Sequence, residues 1–316
     1  MAATKLSDPI FHDEAAAQAH IEASRWPQGP YCPFCGTFNV LRMGGKTQAG
    51  MFSCRDCRKK FTCRTGSVME RSHVPLTKWL LATHLMAASK KGMSAHQLAR
   101  MLDVQYKTAW FLAHRIREAM IDTDAGPLGG TGKTVEADET YFGTQENPTP
   151  SPRRRGQPYI KHKRTIRKRA VLALVERQGT ARTFHVEAVT ADEVRRLIVT
   201  NVSRESALHS DESNLYTRVG AEFSTYQTVK HSAGEYVRGD VHSNTVESYF
   251  SVFKRGMKGV YQHCGEKHLQ RYLTEFEFRY NRRVALGVND TMRAASVLKG
   301  MEGKRLTYRR SDTALV

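Results

Sequence analysis

The chain has 316 residues, 40% hydrophobic and 25% charged, which is long enough for two or three domains with a substantial core and excludes a disordered or fibrous polypeptide. Lys and Arg total 49 against 31 acids, and the formal charge of +18 favours a polyanionic partner, nucleic acid ahead of an anionic membrane surface. No run of about 18 or more apolar residues occurs, and the N-terminal MAATKLSDPIFHDEAAAQAH lacks a basic segment followed by an apolar one; the expectation is a cytoplasmic, nucleoid-associated protein with no membrane partner.

In a reducing compartment cysteine pairs signal metal ligation before disulfides. CPFCG supplies Cys32 and Cys35, CRDC supplies Cys54 and Cys57, and the resulting C-x2-C-x18-C-x2-C pattern has the spacing of a tetrahedral zinc site. Four thiolates leave no position for water, so one structural Zn²⁺ is expected rather than a catalytic one. Val40, Leu41, Met51 and Phe52 suit a short hairpin between the knuckles, too small to fold without metal. Cys63 and Cys264 have no partner spacing and read as small buried or incidental thiols. Residues 1–66 form this head.

Residues 67–125 read as helical. Within SAHQLARMLDVQYKTAWFLAHRIREAM (94–120), Leu98, Met101 and Leu102 give one helix an apolar stripe, and Ala109, Leu112, Ala113, Ile116 and Met120 give a second its own. The break at Asp103 to Gln105 makes this a helix-turn-helix pattern, with Ser94 as N-cap and Gln105, Tyr106, Lys107 and Arg115 facing DNA. A helical hairpin used only for packing is the competing reading.

DTDAGPLGGTGK (122–133) marks a boundary, and the pattern after it changes to that of an α/β domain on a mixed sheet, assigned to 133–300 with a tail at 301–316. TVEADETYF (134–142) alternates as a strand, with Glu136, Asp138 and Thr140 on one side and Val135, Ala137 and Glu139 on the other. AVLALVE (170–176) reads as a buried strand, RTFHVEAV (182–189) as an alternating one, and ALHSD (207–211) as a short strand ending in an acid. TADE (190–193) is a capping box in which Thr190 caps a helix and Glu193 reaches back. The insertion at 144–169 is strongly basic; Arg153, Arg154, Arg155, Lys161, Lys163 and Arg164 are candidates for phosphate contacts in a loop that orders on nucleic acid. VESYFSVFKRG reads as an amphipathic helix, and Leu269, Tyr272, Leu273, Phe276 and Tyr280 form a later stripe that suits core packing behind it.

Asp138 lies midway along one strand, Asp211 ends another, and Glu247 sits on a helix, in an arrangement expected to converge at the edge of a sheet. Such a set of hard oxygen donors suits two Mg²⁺ or Mn²⁺ ions in phosphoryl transfer, although 31 acids offer many other triplets. Lys254 follows Glu247 by nearly two turns on the same helical face, where a point charge can hold a phosphate. His231, Glu235, Asp240 and His242 are candidates for supporting roles nearby.

CPFCG, CRDC, TGSVME, PLTKWLLA, SKKGMSAHQLAR, KTAWFLAHRIREAM, ADETYFG, HSAGEYVRGDVHSNTVESYFSVFKRG and KHLQRYLTEFEFRYNRR resemble the insertion-sequence transposases that join a zinc ribbon to a DDE catalytic domain, the group typified by the ISXO-two element. The resemblance runs from about Trp26 to Arg283. It implies a ribonuclease-H-like core, an acidic triad of Asp138, Asp211 and Glu247 with Lys254 as the following basic residue, and Asn244 as a lesser candidate for the third acidic position. It further implies binding of double-stranded DNA at terminal inverted repeats and at a target, hydrolysis to a 3′-OH, strand transfer, and a dimer or higher oligomer. A metal-dependent nuclease without strand transfer and a zinc-containing helix-turn-helix regulator are the alternatives.

Overall fold

The computed structural model describes residues 5–45, 49–143, 168–229, 233–235 and 237–307. The six basic residues singled out between Arg153 and Arg164, and His231, lie outside them. The chain forms two compact units, one of residues 1–123 with 282–316 and one of residues 124–281.

In the first unit, helix α1 (Glu14–Arg25) starts at Asp13, whose carboxylate accepts from the N–H groups of Ala15 and Ala16. Strands β1 (Val40–Arg42), β2 (Met51–Cys54) and β3 (Lys60–Thr62) form an antiparallel sheet in that order, its first two strands being the hairpin expected between the cysteine pairs. This ribbon has little apolar surface of its own. Phe52 and Phe61 stack at 5.4 Å, and Trp26 at the end of α1 meets both edge-on, at 5.4 and 5.9 Å.

Helix α2 (Leu76–Ala88) begins after Pro75, which offers no side-chain cap; the Glu14 carboxylate accepts instead from Leu76 N at 2.7 Å and Thr77 N at 3.1 Å. Helices α3 (Ala95–Leu102) and α4 (Tyr106–Ala119) follow, with Ser94 Oγ accepting from Gln97 N at 3.2 Å as the expected cap. Asp103 turns the chain between them in the left-handed region, at φ 48°, which a short polar side chain tolerates.

The second unit runs β4 (Thr134–Phe142), β5 (Arg169–Glu176), β6 (Ala181–Val186), α5 (Ala191–Asn201), β7 (Ala207–Asp211), α6 (Asn214–Gly220) and β8 (Thr225–Val229). A two-residue hairpin, β9 (Val237–Arg238) with β10 (Val241–His242), then leads into α7 (Asn244–Gly256) and α8 (Leu269–Asn281). The sheet order is β6-β5-β4-β7-β8, antiparallel across the first three strands and parallel from β4 to β7 to β8, which is the topology of a ribonuclease-H-like core. Period-two alternation sorts the side chains. Val135, Ala137, Leu172 and Leu174 pack with α5 and α6 on one face, whereas Val171, Ala173 and Val175 pack with Val246, Phe250, Phe253, Leu273 and Phe276 of α7 and α8 on the other. The stripe at Leu269, Tyr272, Leu273, Phe276 and Tyr280 is therefore core packing.

Four expectations change. β6 ends at Val186, short of residue 189, because Val186 pairs with Ala170 and β5 begins one residue before it. Thr190 Oγ1 accepts from Glu193 N as foreseen, but Glu193 does not reach back: its carboxylate grips Arg196, Nε at 2.9 Å and Nη2 at 2.5 Å, a charge-assisted pair stronger than a bond to a neutral N–H. Asp138 lies on β4, the central strand, rather than at a sheet edge. Finally, α9 (Asp290–Lys299) belongs to the first unit and not to the second, because its buried face packs on α1, α2 and α4.

Gly300 ends α9 where a Cβ would lie 2.2 Å from the carbonyl oxygen of Ala119. Gly300→Ala should destabilise the protein by about 1–3 kcal/mol, read as a lower thermal midpoint, since a backbone atom cannot rotate out of the way.

Candidate active site

The cysteine cluster is the more compact of the two candidate metal centres. Cys32 and Cys57 sulfurs are 3.6 Å apart, as are those of Cys35 and Cys54, and all four Sγ atoms lie within 4.8 Å of one another. A tetrahedral zinc with bonds of about 2.3 Å requires S···S separations of roughly 3.8 Å, so the donor set fits that ion. Cys63 and Cys264 stand outside this cluster; Cys63 is buried and Cys264 half-buried.

The carboxylates are built differently. β4 and β7 run parallel and pair as far as Glu136 opposite His209, so Asp138 and Asp211 each stand two residues beyond the last paired position on neighbouring strands. Both project from the face that α7 covers, because Glu136, on Asp138's side of β4, meets the first turn of α7. Glu247 lies in that same turn, where Ser243 Oγ donates to its Oε1 at 2.7 Å. Asp138 Oδ1 accepts from the N–H of Glu139 at 2.8 Å, and Asp211 Oδ1 from that of Ser213 at 3.1 Å. Burial, and then the charges of Glu139, Asp211 and Glu247, push the Asp138 carboxyl up to about 7. The charges of Asp211 and Glu247 both reach Asp138, yet the oxygens of the three carboxylates do not share the 4.8 Å mutual spacing of the thiols.

Around them, Glu139 points to the opposite face, where Tyr216 of α6 donates to its Oε2. Lys254 is half-buried on α7 with Nζ 5.9 Å from the Phe250 ring centroid. Asn244 is exposed at the start of α7; Glu235 pairs with Arg238 at 3.8 Å. His242 Nδ1 lies 3.2 Å from Glu136 Oε1, at ion-pair distance but outside hydrogen-bond geometry. Glu136 itself was read from sequence only as a residue on Asp138's side of the strand. It is completely buried, and its carboxylate accepts from Thr245 N at 2.8 Å, Val246 N at 3.0 Å and Thr245 Oγ1 at 2.9 Å, capping α7 where Ser243 does not. Arg177 and His209 join it and were not singled out from sequence; only the strand alternation offered a signal, and only for Glu136.

Two family models match the sequence, an ISXO2-like transposase domain over residues 127–281 and a transposase zinc-ribbon domain over residues 12–60. A relative described as an uncharacterized protein in transposable element ISH50 of Halobacterium salinarum is 32% identical over 276 residues, covering 85% of this chain and 91% of that protein. The chain belongs to the ISXO2-like transposase family. The zinc-ribbon match contains all four cysteines, and the transposase match contains Asp138, Asp211 and Glu247 and stops at residue 281, where the second compact unit ends. Among solved structures, a pre-cleavage Mos1 transpososome (11% identity, 66% of this chain and 74% of that one, TM-score 0.26) and a Mos1 strand transfer complex (12%, 70% and 74%, TM-score 0.27) align with it. Membership of the family rests on the sequence matches. Among the described residues no helix is long and apolar enough to cross a membrane.

Two predictions follow from the geometry of these centres. Elemental analysis should find one zinc per chain, and Cys54→Ser should release it and loosen the ribbon, seen as lost amide protection in β1 to β3. Asp138 holds its proton more tightly folded than unfolded, where its value is near 3.8, so its contribution to stability is full below about pH 4 and is lost as pH rises through about 7. In zinc-loaded protein without other divalent ions, Asp138→Asn should therefore melt about 5 °C above wild type at pH 8, with the gap closing toward pH 4.

Proposed function

We propose that this transposase binds the terminal inverted repeats of its element through the first unit, cuts the DNA with Asp138, Asp211 and Glu247, and joins the resulting 3′-OH to target DNA. The observation that carries the reading is the position of Asp138 and Asp211, each two residues beyond the last pair of two adjacent parallel strands, on the face that also receives the first turn of α7 with Glu247. Mg²⁺ or Mn²⁺ ions held by these carboxylates would supply an activated water and steady the leaving oxygen.

The chain's own residues account for the remaining requirements. The carboxylates project from two neighbouring strands of one sheet and from a helix packed on that sheet, which limits their movement during in-line displacement. Lys254, near two turns beyond Glu247 on one helix face, offers a point charge for a phosphate beside the carboxylates. Attack by water and then by the 3′-OH requires no covalent bond to the protein.

DNA contact in the first unit is supported by a groove of about 700 Å³ beside the start of α4. Arg71, His73, Gln105, Lys107, Phe111 and Arg115 line it. The first turn of α4 has no side-chain cap, so its N–H groups suit a phosphate, and Tyr106 beside them is 45% exposed and stacked on His96. Arg115 lies with Cζ 4.6 Å from the Phe111 ring. The α3–turn–α4 pair is read here as a DNA-reading helix-turn-helix, the basic residues Lys107 and Arg115 providing affinity.

The test uses DNA carrying the element's own ends with Mg²⁺. Wild type should nick those ends and, given pre-cut ends and a plasmid, yield joined product. Asp138→Asn should lower both by more than about 100-fold, since even groups that only orient metal ligands are worth 10–100-fold. Cleavage without any joined product would identify a nuclease, and full activity in the variant would end the assignment of Asp138.

A further inference from the structure

We infer that Glu136 and Arg177 form a positioning pair that holds the three carboxylate-bearing elements in register; this rests on the reading of Asp138, Asp211 and Glu247 as one ion site. Glu136 is 0% exposed, and both its oxygens are engaged: Oε1 by Arg177 Nε at 2.7 Å and Thr245 Oγ1 at 2.9 Å, Oε2 by the N–H groups of Thr245 and Val246. Three further Arg177 donors go to Asp240 O at 2.7 Å, His242 O at 3.0 Å and His209 Nδ1 at 3.1 Å. A guanidinium can only donate, so His209 Nδ1 accepts from it, which joins β7 to the pair.

The positions of the groups so joined form a pattern. Glu136 is two residues before Asp138 on β4, His209 two before Asp211 on β7, and Thr245 two before Glu247 on α7. On the two strands that spacing returns to the same face, so the network forms a row directly beneath the carboxylates. A single guanidinium thus fastens β4, β7 and the entry to α7, and its planar fork is what permits several bonds in fixed directions. Stability alone does not account for the pair. A buried ion pair is often no more stabilising than well-packed apolar residues of the same volume, whereas it does fix relative orientation.

The inference is tested on the full zinc-loaded chain by titrating Mn²⁺ and following the free-ion electron paramagnetic resonance signal, alongside thermal unfolding. Asp138→Asn marks the ion site. Glu136→Gln/Arg177→Gln removes both charges together and leaves no buried ion unpaired; it should fold with a thermal midpoint near wild type yet bind Mn²⁺ about 10–100-fold more weakly. Arg177→Lys keeps the charge beside Glu136 but cannot reach Asp240 O, His242 O and His209 at once, and should weaken binding about tenfold with little change in midpoint. If the double variant does not fold, Arg177→Lys decides by the same measure. Wild-type Mn²⁺ affinity in these folded variants, with binding impaired in Asp138→Asn, overturns the positioning role and leaves the ion site standing; undiminished binding in Asp138→Asn overturns both.

Discussion

The second unit depends on a buried carboxylate at the start of a helix. Glu136 on the central strand accepts the first N–H groups of α7, where partial positive charge gathers, and its own charge is matched by Arg177. With that contact, the helix carrying Glu247 is referred to the strand carrying Asp138 by hydrogen bonds and not by apolar packing alone. Apolar contacts such as those of Val246, Phe250 and Phe253 stabilise the docking but are nondirectional, and a helix resting only on them can rotate or slide.

That directional contact is needed because the neighbouring groups oppose it. Burial makes Asp138 costly to ionise, and the charges of Glu139, Asp211 and Glu247 add to that cost. Divalent cations bound there would relieve this strain, which gives the protein a reason to tolerate an acid poised near neutrality. Glu136 and Asp138 share a strand and a face and yet have opposite surroundings: one carboxylate is enclosed by donors, the other by acids. The first unit solves a comparable problem by other means. Its ribbon is too small to bury a core, so it draws on Trp26 from α1 and on four sulfurs at the spacing of a tetrahedral ion.

Much of the architecture was legible because its signals are local. The cysteine spacing, the Ser94 cap, the break at Asp103, the strand at 207–211 and the apolar stripe of α8 each depend on residues close together in the chain. Differences arose where another partner competed, near or far in the chain. Glu193 abandoned the capping box for Arg196, β6 stopped where its partner strand ran out, and α9 joined the first unit because its packing partners lie some two hundred residues earlier. Within the site, alternation put Glu136 and Asp138 on one side of a strand without distinguishing their roles. Arg177, just after a buried strand, carries no signal in the sequence, since none of its partners is near it in the chain.

By itself, then, the sequence determined which residues carry the chemistry types: thiols in two pairs, acids on strands and a helix, an excess of cations, and the family to which these motifs belong. It did so because motif spacing and period are written along the chain. Only the tertiary structure decided that Asp138 and Asp211 come to adjacent parallel strands, that burial and neighbouring acids push Asp138 up to about 7 while Glu136 is held by donors, and that a single guanidinium ties three elements together. Those properties arise from desolvation and charge at short range between segments tens of residues apart, and such proximity exists only once the chain has folded.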